Sequence, residues 1–355
     1  MQEYPITRAA TLKAKPDPKT LVFGKTFTDH MFLMNYDTGK GWHDGRIVPY
    51  APIALEPCAM VFHYAQEVFE GLKAYRTPDG VVQLFRPDEN AKRLNSSCAR
   101  LGIPTLDEAA VVSAIKQLVK LEADWVPNEP GTSLYIRPFV FATDPSLGVH
   151  ASHTYIFAVI CCPVGAYYAE GINPVKIYVE DEDVRAVKGG TGFTKCGGNY
   201  AASIHASERA EAKGFSQVLW LDGVHRKYIE EVGSMNVMFQ VNGTVITPEL
   251  NGSVLPGITR KSCMELIKSW GVSCEERLIT AQELFDAAQA GKLDEAWGTG
   301  TAAVVSPIGE MVWETREAVV NGGKIGALTQ KLYDTLTGIQ WGTLADPYGW
   351  TVKVC

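Results

Sequence analysis

Lys195 is the one basic residue in the stretch GGTGFTKCGGNY (189–200), where it stands among five glycines. Glycine has no Cβ, so such a segment can take left-handed backbone angles and let another group approach closely. A lysine held there can be aimed into a pocket, where its amine forms an imine with a carbonyl cofactor. It can equally be the solvated lysine of a surface loop. Two phosphate motifs are excluded. Gly190, Gly192 and Lys195 give G-x-G-x-x-K, which lacks the third glycine of the dinucleotide fingerprint, and G-x-x-x-x-G-K-[ST] is absent.

Other groups suit a phosphorylated carbonyl cofactor, pyridoxal phosphate. Leu255-Pro256-Gly257-Ile258-Thr259 opens a predicted helix, whose first amides and dipole can bind phosphate. Thr299-Gly300-Thr301 offers a second set of donors, and Arg93 a full positive charge. An electron-accepting pyridine needs a carboxylate at its ring nitrogen to keep it protonated. Glu231 in YIEEVGSMN is the candidate, with Glu230 on the opposite face of a regular strand. Each piece has a plain alternative: a helix start, a common turn, a solvated arginine. Their joint presence is what favours the cofactor. No metal is expected, because His150 and His153 have no third ligand near them in sequence.

The elements that must position these groups fit a chain of two domains. The 355 residues are 46% apolar and 21% charged, as in an ordinary globular protein. With a net charge of −7 and no basic run, nucleic acid and anionic membranes are poor partners. No stretch has the length of a signal-peptide core or a membrane span. The eight cysteines form no C-x-x-C and suit reduced thiols in the cytoplasm. Residues 1–20 are expected to be a loosely held arm. Strands are expected at 21–34, 58–64, 68–76, 81–86, 133–143 and 154–164, with helices at 88–100 and from a Thr105/Glu108 capping box to about Trp125. This first domain, 1–163, is joined by 164–174 to a second, 175–355. The second should hold a helix over 199–213, a hairpin turning at Asn242-Gly243, a capping box at Thr280/Glu283 and a strand broken by a glycine-threonine loop over 294–309.

The segments FGKTFTDHM (23–31), FEGLKAYR (69–76), SLYIRPFVFATDPSLGV (133–149), KCGGNYAAS (195–203), EVGSMNVMF (231–239), LNGSVLPGITRKS (250–262) and GTGTAAVVSP (298–307) cover nearly the whole chain in order. With them the chain resembles the branched-chain amino-acid aminotransferases of the fold-type IV class. The resemblance implies an α+β, two-domain enzyme: a small α/β N-terminal domain and a larger C-terminal domain with a barrel-like β-sheet core and flanking helices. It implies pyridoxal 5'-phosphate as cofactor, with Lys195 as the Schiff-base lysine and general acid/base. Glu231 is implied at the pyridine nitrogen, Tyr200 at the phenolate oxygen, and Arg93, Ile258, Thr259 and Thr301 around the phosphate. Phe23, Tyr64, Phe69, Tyr135, Arg137 and Tyr167 are implied as the substrate pocket, with Ser234 and Ala302 receiving the substrate carboxylate. A homodimer is implied too, Tyr135 and the DPSLGV loop with Val149 reaching the partner's site.

The expected reaction is reversible, ping-pong transfer of the amino group of L-leucine, L-isoleucine or L-valine to 2-oxoglutarate. Mammalian relatives carry a redox C-x-x-C after the glycine-threonine loop; Ala303 and Ser306 stand there, so thiol regulation of that kind is not expected. D-amino-acid aminotransferases and aminodeoxychorismate lyases share the lysine, glutamate and phosphate groups. The aromatic pocket and long N-terminal segment favour the branched-chain reading. A cofactor carrier without catalysis is disfavoured by the intact lysine, glutamate and pocket.

Overall fold

A computed structural model describes residues 2–165 and 172–355. The chain divides into two compact units: residues 1–169, 194–197 and 338–355 in the first, and 170–193 with 198–337 in the second. The division expected at 164–174 followed the chain, whereas the compact units do not. Residues 194–197, with Lys195, group with the N-terminal part, as does the C-terminus.

The first unit contains β1 (His30–Asp37), β2 (Gly41–Pro49), α1 (Met60–Tyr64), β3 (Glu67–Phe69), β4 (Leu72–Arg76), β5 (Val82–Phe85), α2 (Pro87–Arg100), α3 (Glu108–Leu121), β6 (Ser133–Ala142) and β7 (Thr154–Val164). Its antiparallel sheet runs from the C-terminal strand Thr351–Lys353 through β5, β4, β6, β7 and β1 to β2, with β3 paired to β6. Alternation sets the faces. Leu72 and Ala74 of β4 and Leu134 and Ile136 of β6 join Leu94 and Cys98 of α2 and Ile115 and Leu118 of α3 in one core. Lys73, Tyr135 and Arg137 are thereby turned to the other side of the sheet. Leu94→Ala should cost about 2–5 kcal/mol, transfer plus cavity, since Leu94 is fully enclosed; urea unfolding would measure it.

Several expectations for this unit need correction. The strand predicted over 21–34 begins only at His30, because Gly24 takes φ 71° and turns the chain away. The strand predicted at 58–64 is the helix α1, ended by Ala65 in the left-handed region. Helix α3 is capped by Asp107, which accepts from Ala110 N–H, rather than by Thr105, and ends before Trp125. The N-terminal arm is docked: Tyr4 is buried, its N–H donates to Gln117, and Thr7 and Ile47 exchange backbone bonds with their neighbours across a bridge.

The second unit contains β8 (Val175–Glu180), α4 (Gly197–Ala201), α5 (Ile204–Ala212), β9 (Gln217–Leu221), β10 (Ile229–Val232), β11 (Asn236–Val241), β12 (Thr244–Thr247), α6 (Ile258–Ser269), β13 (Cys274–Glu276), α7 (Ala281–Gln289), β14 (Leu293–Gly300), β15 (Val304–Trp313), β16 (Arg316–Val319) and most of α8 (Ala327–Trp341). Its mixed nine-stranded sheet has the order β10-β9-β8-β15-β14-β11-β12-β13, with β16 beside β15. Asn242 (φ 49°) and Gly243 (φ 77°) make the expected β11–β12 hairpin turn. Thr280 caps α7 by accepting from Glu283 N–H, as its sequence indicates. The single helix predicted over 199–213 is broken into α4 and α5.

Candidate active site

In the first unit the site is built on an interruption of the sheet. Pro138 in β6 has no N–H to offer the ladder. Opposite it the chain leaves β3 at Phe69 and re-enters at Leu72, with Glu70 N–H donating to the Pro138 carbonyl at 2.7 Å. Gly71 allows the close passage: a Cβ there would lie 2.1 Å from Tyr135 Oη. The Phe69 N–H, turned out of the ladder, donates to the Lys195 carbonyl at 2.9 Å. On the other side the Lys195 N–H donates to Ser97 Oγ of α2 at 3.0 Å. The lysine backbone is therefore pinned from both sides.

The Lys195 amine lies 4.9 Å from the centre of the Phe69 ring. It is lowered to about 8, first by burial and then by the charge of Arg93, with Arg137 adding to the fall and Glu70 and Tyr135 opposing it. At about 8, roughly a tenth of this half-buried amine is neutral and nucleophilic near pH 7, far more than of an ordinary lysine. Arg93 is buried and forms a fork with Glu70, Nε to Oε1 at 2.7 Å and Nη2 to Oε2 at 2.8 Å. Arg137 donates to Tyr135 Oη at 3.0 Å and lies over the Phe69 ring, 4.6 Å from its centre. Among the described residues its buried Nε has no hydrogen-bond partner, which suits an incoming anion. Phe23 packs edge-on against Tyr135 with ring centroids 4.9 Å apart.

The structure thus brings Lys195, Arg93, Phe69, Tyr135, Arg137 and Phe23 into one group. Tyr64 ends α1, and its hydroxyl donates to the Leu147 carbonyl of the loop between β6 and β7. Val149 is 82% exposed on that loop. Tyr167 lies outside the described residues. The same loop corrects the reasoning against a metal. The fold supplies a third group, Asp144, and ligand atoms of Asp144, His150 and His153 lie within 4.8 Å of one another. Asp144 already accepts from both N–H groups of His153, backbone and Nδ1, at 3.1 and 2.7 Å, which explains the grouping as a loop closure.

In the second unit Glu231 of β10 is buried, accepts from Leu255 N–H at 2.7 Å and pairs with Arg185 at 3.3 Å. The register of β10 slips between Ile229 and Val232, so the alternation expected of a regular strand does not hold there; Glu230 accepts from Ser253 Oγ and, like Glu231, feels the charge of Arg185. Asn236 of β11 joins this carboxylate to the start of α6, donating at 2.8 Å to the Leu255 carbonyl. Gly257 caps α6 with no side-chain bond, so the amides of Ile258 and Thr259 open the helix without a capping oxygen. A Cβ on Gly257 would meet Asn236 Oδ1 at 1.9 Å.

Asn236 pairs across the sheet with Thr299, so their side chains share a face. The Thr299 hydroxyl is buried with no hydrogen-bond partner among the described residues, an orphan donor that a phosphate oxygen would satisfy. Thr301 and Ala302 follow in the turn to β15, Ser234 is exposed in the turn between β10 and β11, and Tyr200 is half-buried in α4. The glycine-rich stretch before Lys195 is held by Asn199, which donates to the Thr191 carbonyl at 2.8 Å. A Cβ on Gly192 would lie 2.2 Å from the Ser253 carbonyl oxygen, so glycine is required there.

Four residues around these groups carry no assignment from sequence: Glu70, Asn90 and Ser97 around Arg93 and Lys195, and Arg185 beside Glu231. Asn90, Arg93 and Ser97 recur at i, i+3 and i+7 of α2. A polar stripe on the buried face of an amphipathic helix was the available signal.

Residues 67–311 match the family described as amino-transferase class IV. The Bacillus subtilis (strain 168) branched-chain-amino-acid aminotransferase 2 is 57% identical over 353 residues, covering 99% of this chain and 97% of that protein. A probable branched-chain-amino-acid aminotransferase of Staphylococcus aureus (strain N315) is 58% identical over 354 residues, 99% of each. Among solved structures, the branched-chain aminotransferase of Thermoproteus uzoniensis with norvaline aligns with a TM-score of 0.77 at 25% identity, covering 92% of this chain and 100% of that one. The branched-chain amino acid aminotransferase of T.th. complexed with N-(5'-phosphopyridoxyl)-L-glutamate aligns at 0.75 and 26%, covering 91% and 98%.

Proposed function

From the premise that this chain belongs to the amino-transferase class IV family, we infer that it is a branched-chain amino-acid aminotransferase. It transfers the amino group of L-leucine, L-isoleucine or L-valine reversibly to 2-oxoglutarate, with pyridoxal 5'-phosphate as cofactor. The cofactor, when bound, supplies the aldehyde that receives the amino group and the ring that draws electrons away from Cα.

The observation that carries the assignment to Lys195 is its amine, lowered to about 8 and standing beside Arg93 and Phe69. Such an amine attacks an aldehyde as the neutral form and, once released, takes a proton from the substrate Cα. We assign Glu231 to hold the proton at the pyridine nitrogen and Tyr200 to the phenolate oxygen. The α6 amides of Ile258 and Thr259, with Thr301 and Arg93, are assigned to the phosphate. The orphan Thr299 hydroxyl and the uncapped α6 start support that placement.

For the substrate, Phe23, Tyr64, Phe69 and Tyr135 offer apolar surface to a branched side chain. Ser234 and Ala302 are assigned to its carboxylate, and Tyr167 to the pocket wall. The unpartnered Nε of Arg137 supports its receiving the γ-carboxylate of 2-oxoglutarate or glutamate. A methylene is worth only about 1–3 kcal/mol in an apolar pocket, so all three branched amino acids should be accepted. We also propose a homodimer in which Tyr135 and the Val149 loop serve the partner's site. A cytoplasmic location fits eight free cysteines and the lack, among the described residues, of a helix long and apolar enough to cross a membrane.

The test is the absorbance spectrum of the purified holoenzyme. The visible band should fall on adding L-leucine and return on adding 2-oxoglutarate. A band that ignores L-leucine but answers a D-amino acid would keep the fold and sink the substrate assignment. No band after adding pyridoxal phosphate would sink the cofactor assignment.

A further inference from the structure

Arg93 does not stand alone in the first unit. Glu70, 1% exposed, accepts from Arg93 Nε and Nη2, from Asn90 Nδ2 at 2.7 Å and from Gly71 N–H at 3.2 Å. Both of its oxygens are engaged, and two of the donors come from one stripe of α2. The next member of that stripe, Ser97, holds the Lys195 N–H, while Phe69, the neighbour of Glu70, holds the Lys195 carbonyl. The carboxylate, the guanidinium and the lysine are therefore parts of one rigid assembly. Burial alone would raise the Glu70 carboxyl, but the charge and hydrogen bonds of Arg93 outweigh it and hold it below the ordinary value, so it is an anion.

We propose that Glu70 is a positioning residue of the aminotransferase: its carboxylate fixes the Arg93 guanidinium in one orientation and is the counter-charge that keeps the Lys195 nitrogen protonatable near neutral pH. Stability is a poor reason for such a pair, because buried ion pairs often do no better than apolar residues of the same volume. The electrostatic reason is specific. The charged groups acting on the Lys195 nitrogen are Arg93 from α2, Arg137 and the Tyr135 hydroxyl from β6, and Glu70. Glu67 accepts from Gly197 N–H and feels the charge of Arg137. Arg93 and Arg137 thus oppose protonation of Lys195, while Glu70 and Tyr135 favour it. Removing the Glu70 charge leaves the two arginines less compensated, and the protonated nitrogen is disfavoured further.

The inference rests on the aminotransferase reading, and its test separates the two. The pH midpoint of the visible absorbance band is measured in wild-type, Glu70→Gln and Glu70→Asp holoenzymes, together with thermal stability. Glu70→Gln should lower the midpoint by about 1 pH unit, a tenfold change in proton affinity, and speed loss of cofactor on dialysis. Glu70→Asp keeps the charge but withdraws it by one methylene, so its midpoint should fall by less than half as much. A purely structural role would lower the thermal stability of both variants and leave both midpoints at the wild-type value, which overturns the proposal. Should Glu70→Gln fail to fold, the aspartate variant decides alone: a downward shift supports the proposal and an unmoved midpoint ends it. A wild-type protein with no visible band would instead sink the aminotransferase reading itself.

Discussion

Lys195→Ala is expected to lower turnover of L-leucine with 2-oxoglutarate by about ten-thousand-fold and to abolish the visible band even with cofactor bound. One side chain is asked to do two jobs, to hold the cofactor covalently and to move the α-proton. Positioned acid–base groups alone contribute about 10²–10⁴-fold. Loss of the covalent attachment adds to that. The substitution should nevertheless leave the fold in place. The backbone bonds from Phe69 N–H and to Ser97 Oγ do not involve the side chain, so the turn that carries residue 195 survives. Full folding with lost chemistry is the result that identifies a catalytic residue.

The same variant resolves an ambiguity between two lysines. Lys73 of β4 is also lowered to about 8, in its case by burial. It faces the side of the sheet that carries Tyr135, its partner in register. Burial is common to both amines, but only Lys195 is also lowered by Arg93 and Arg137. Borohydride reduction of the holoenzyme, followed by peptide mass mapping, should place the cofactor's mass on the peptide containing Lys195 and leave the Lys73 peptide unlabelled. Label on Lys73, or substantial turnover by Lys195→Ala, would refute the assignment.

Much of this was legible in the sequence because it depends on local chemistry. The Asn242-Gly243 turn, the Thr280 cap and the helix over 87–100 follow from residues close in the chain. The separation of Glu230 from Glu231 does not follow in the same way, because the pairing of β10 slips between Ile229 and Val232 and both carboxylates turn to the 253–255 segment. The failures share a different cause. CAMVFHY is apolar and branched enough for a strand, yet it forms α1. The Ala59 bridge to Pro145 and the Met60 N–H bond to Asp144, far along the chain, fix its start. Tyr4 looks like part of a loose arm until Gln117 is brought beside it by α3.

Within the site, Lys195 and Glu231 can be nominated from the sequence because glycines and paired acids are visible signals. Glu70 stands inside FEGLKAYR with no visible role, since its meaning comes from Arg93, a contact across 23 positions. Asp144 illustrates the reverse. It gives the histidine pair a third neighbour, but its bonds to His153 show loop closure as the reason.

Glu231→Gln should reduce turnover by about 10²–10³-fold in enzyme that still binds cofactor and still shows the visible band. Glutamine has nearly the shape of glutamate, so the packing of β10 is kept, but it carries no charge. The task proposed for the carboxylate is to hold a proton at the ring nitrogen, and a neutral amide could not balance that positive charge. The loss should be equal for the half-reaction begun with L-leucine and that begun with L-glutamate, because the ring nitrogen serves both. A residue that only shaped the pocket would affect the two unequally. Stability should fall as well. Arg185 loses one of the two buried carboxylates that act on it, Glu230 remaining, so the cost should stay below the roughly 3–5 kcal/mol of a fully broken buried pair. The two effects are separable by comparing single-turnover rates of fully loaded protein well below its unfolding temperature. Unequal losses would move Glu231 from the cofactor to the substrate pocket, and undiminished single-turnover rates would leave it only the structural role of pairing Arg185 and the Leu255 amide.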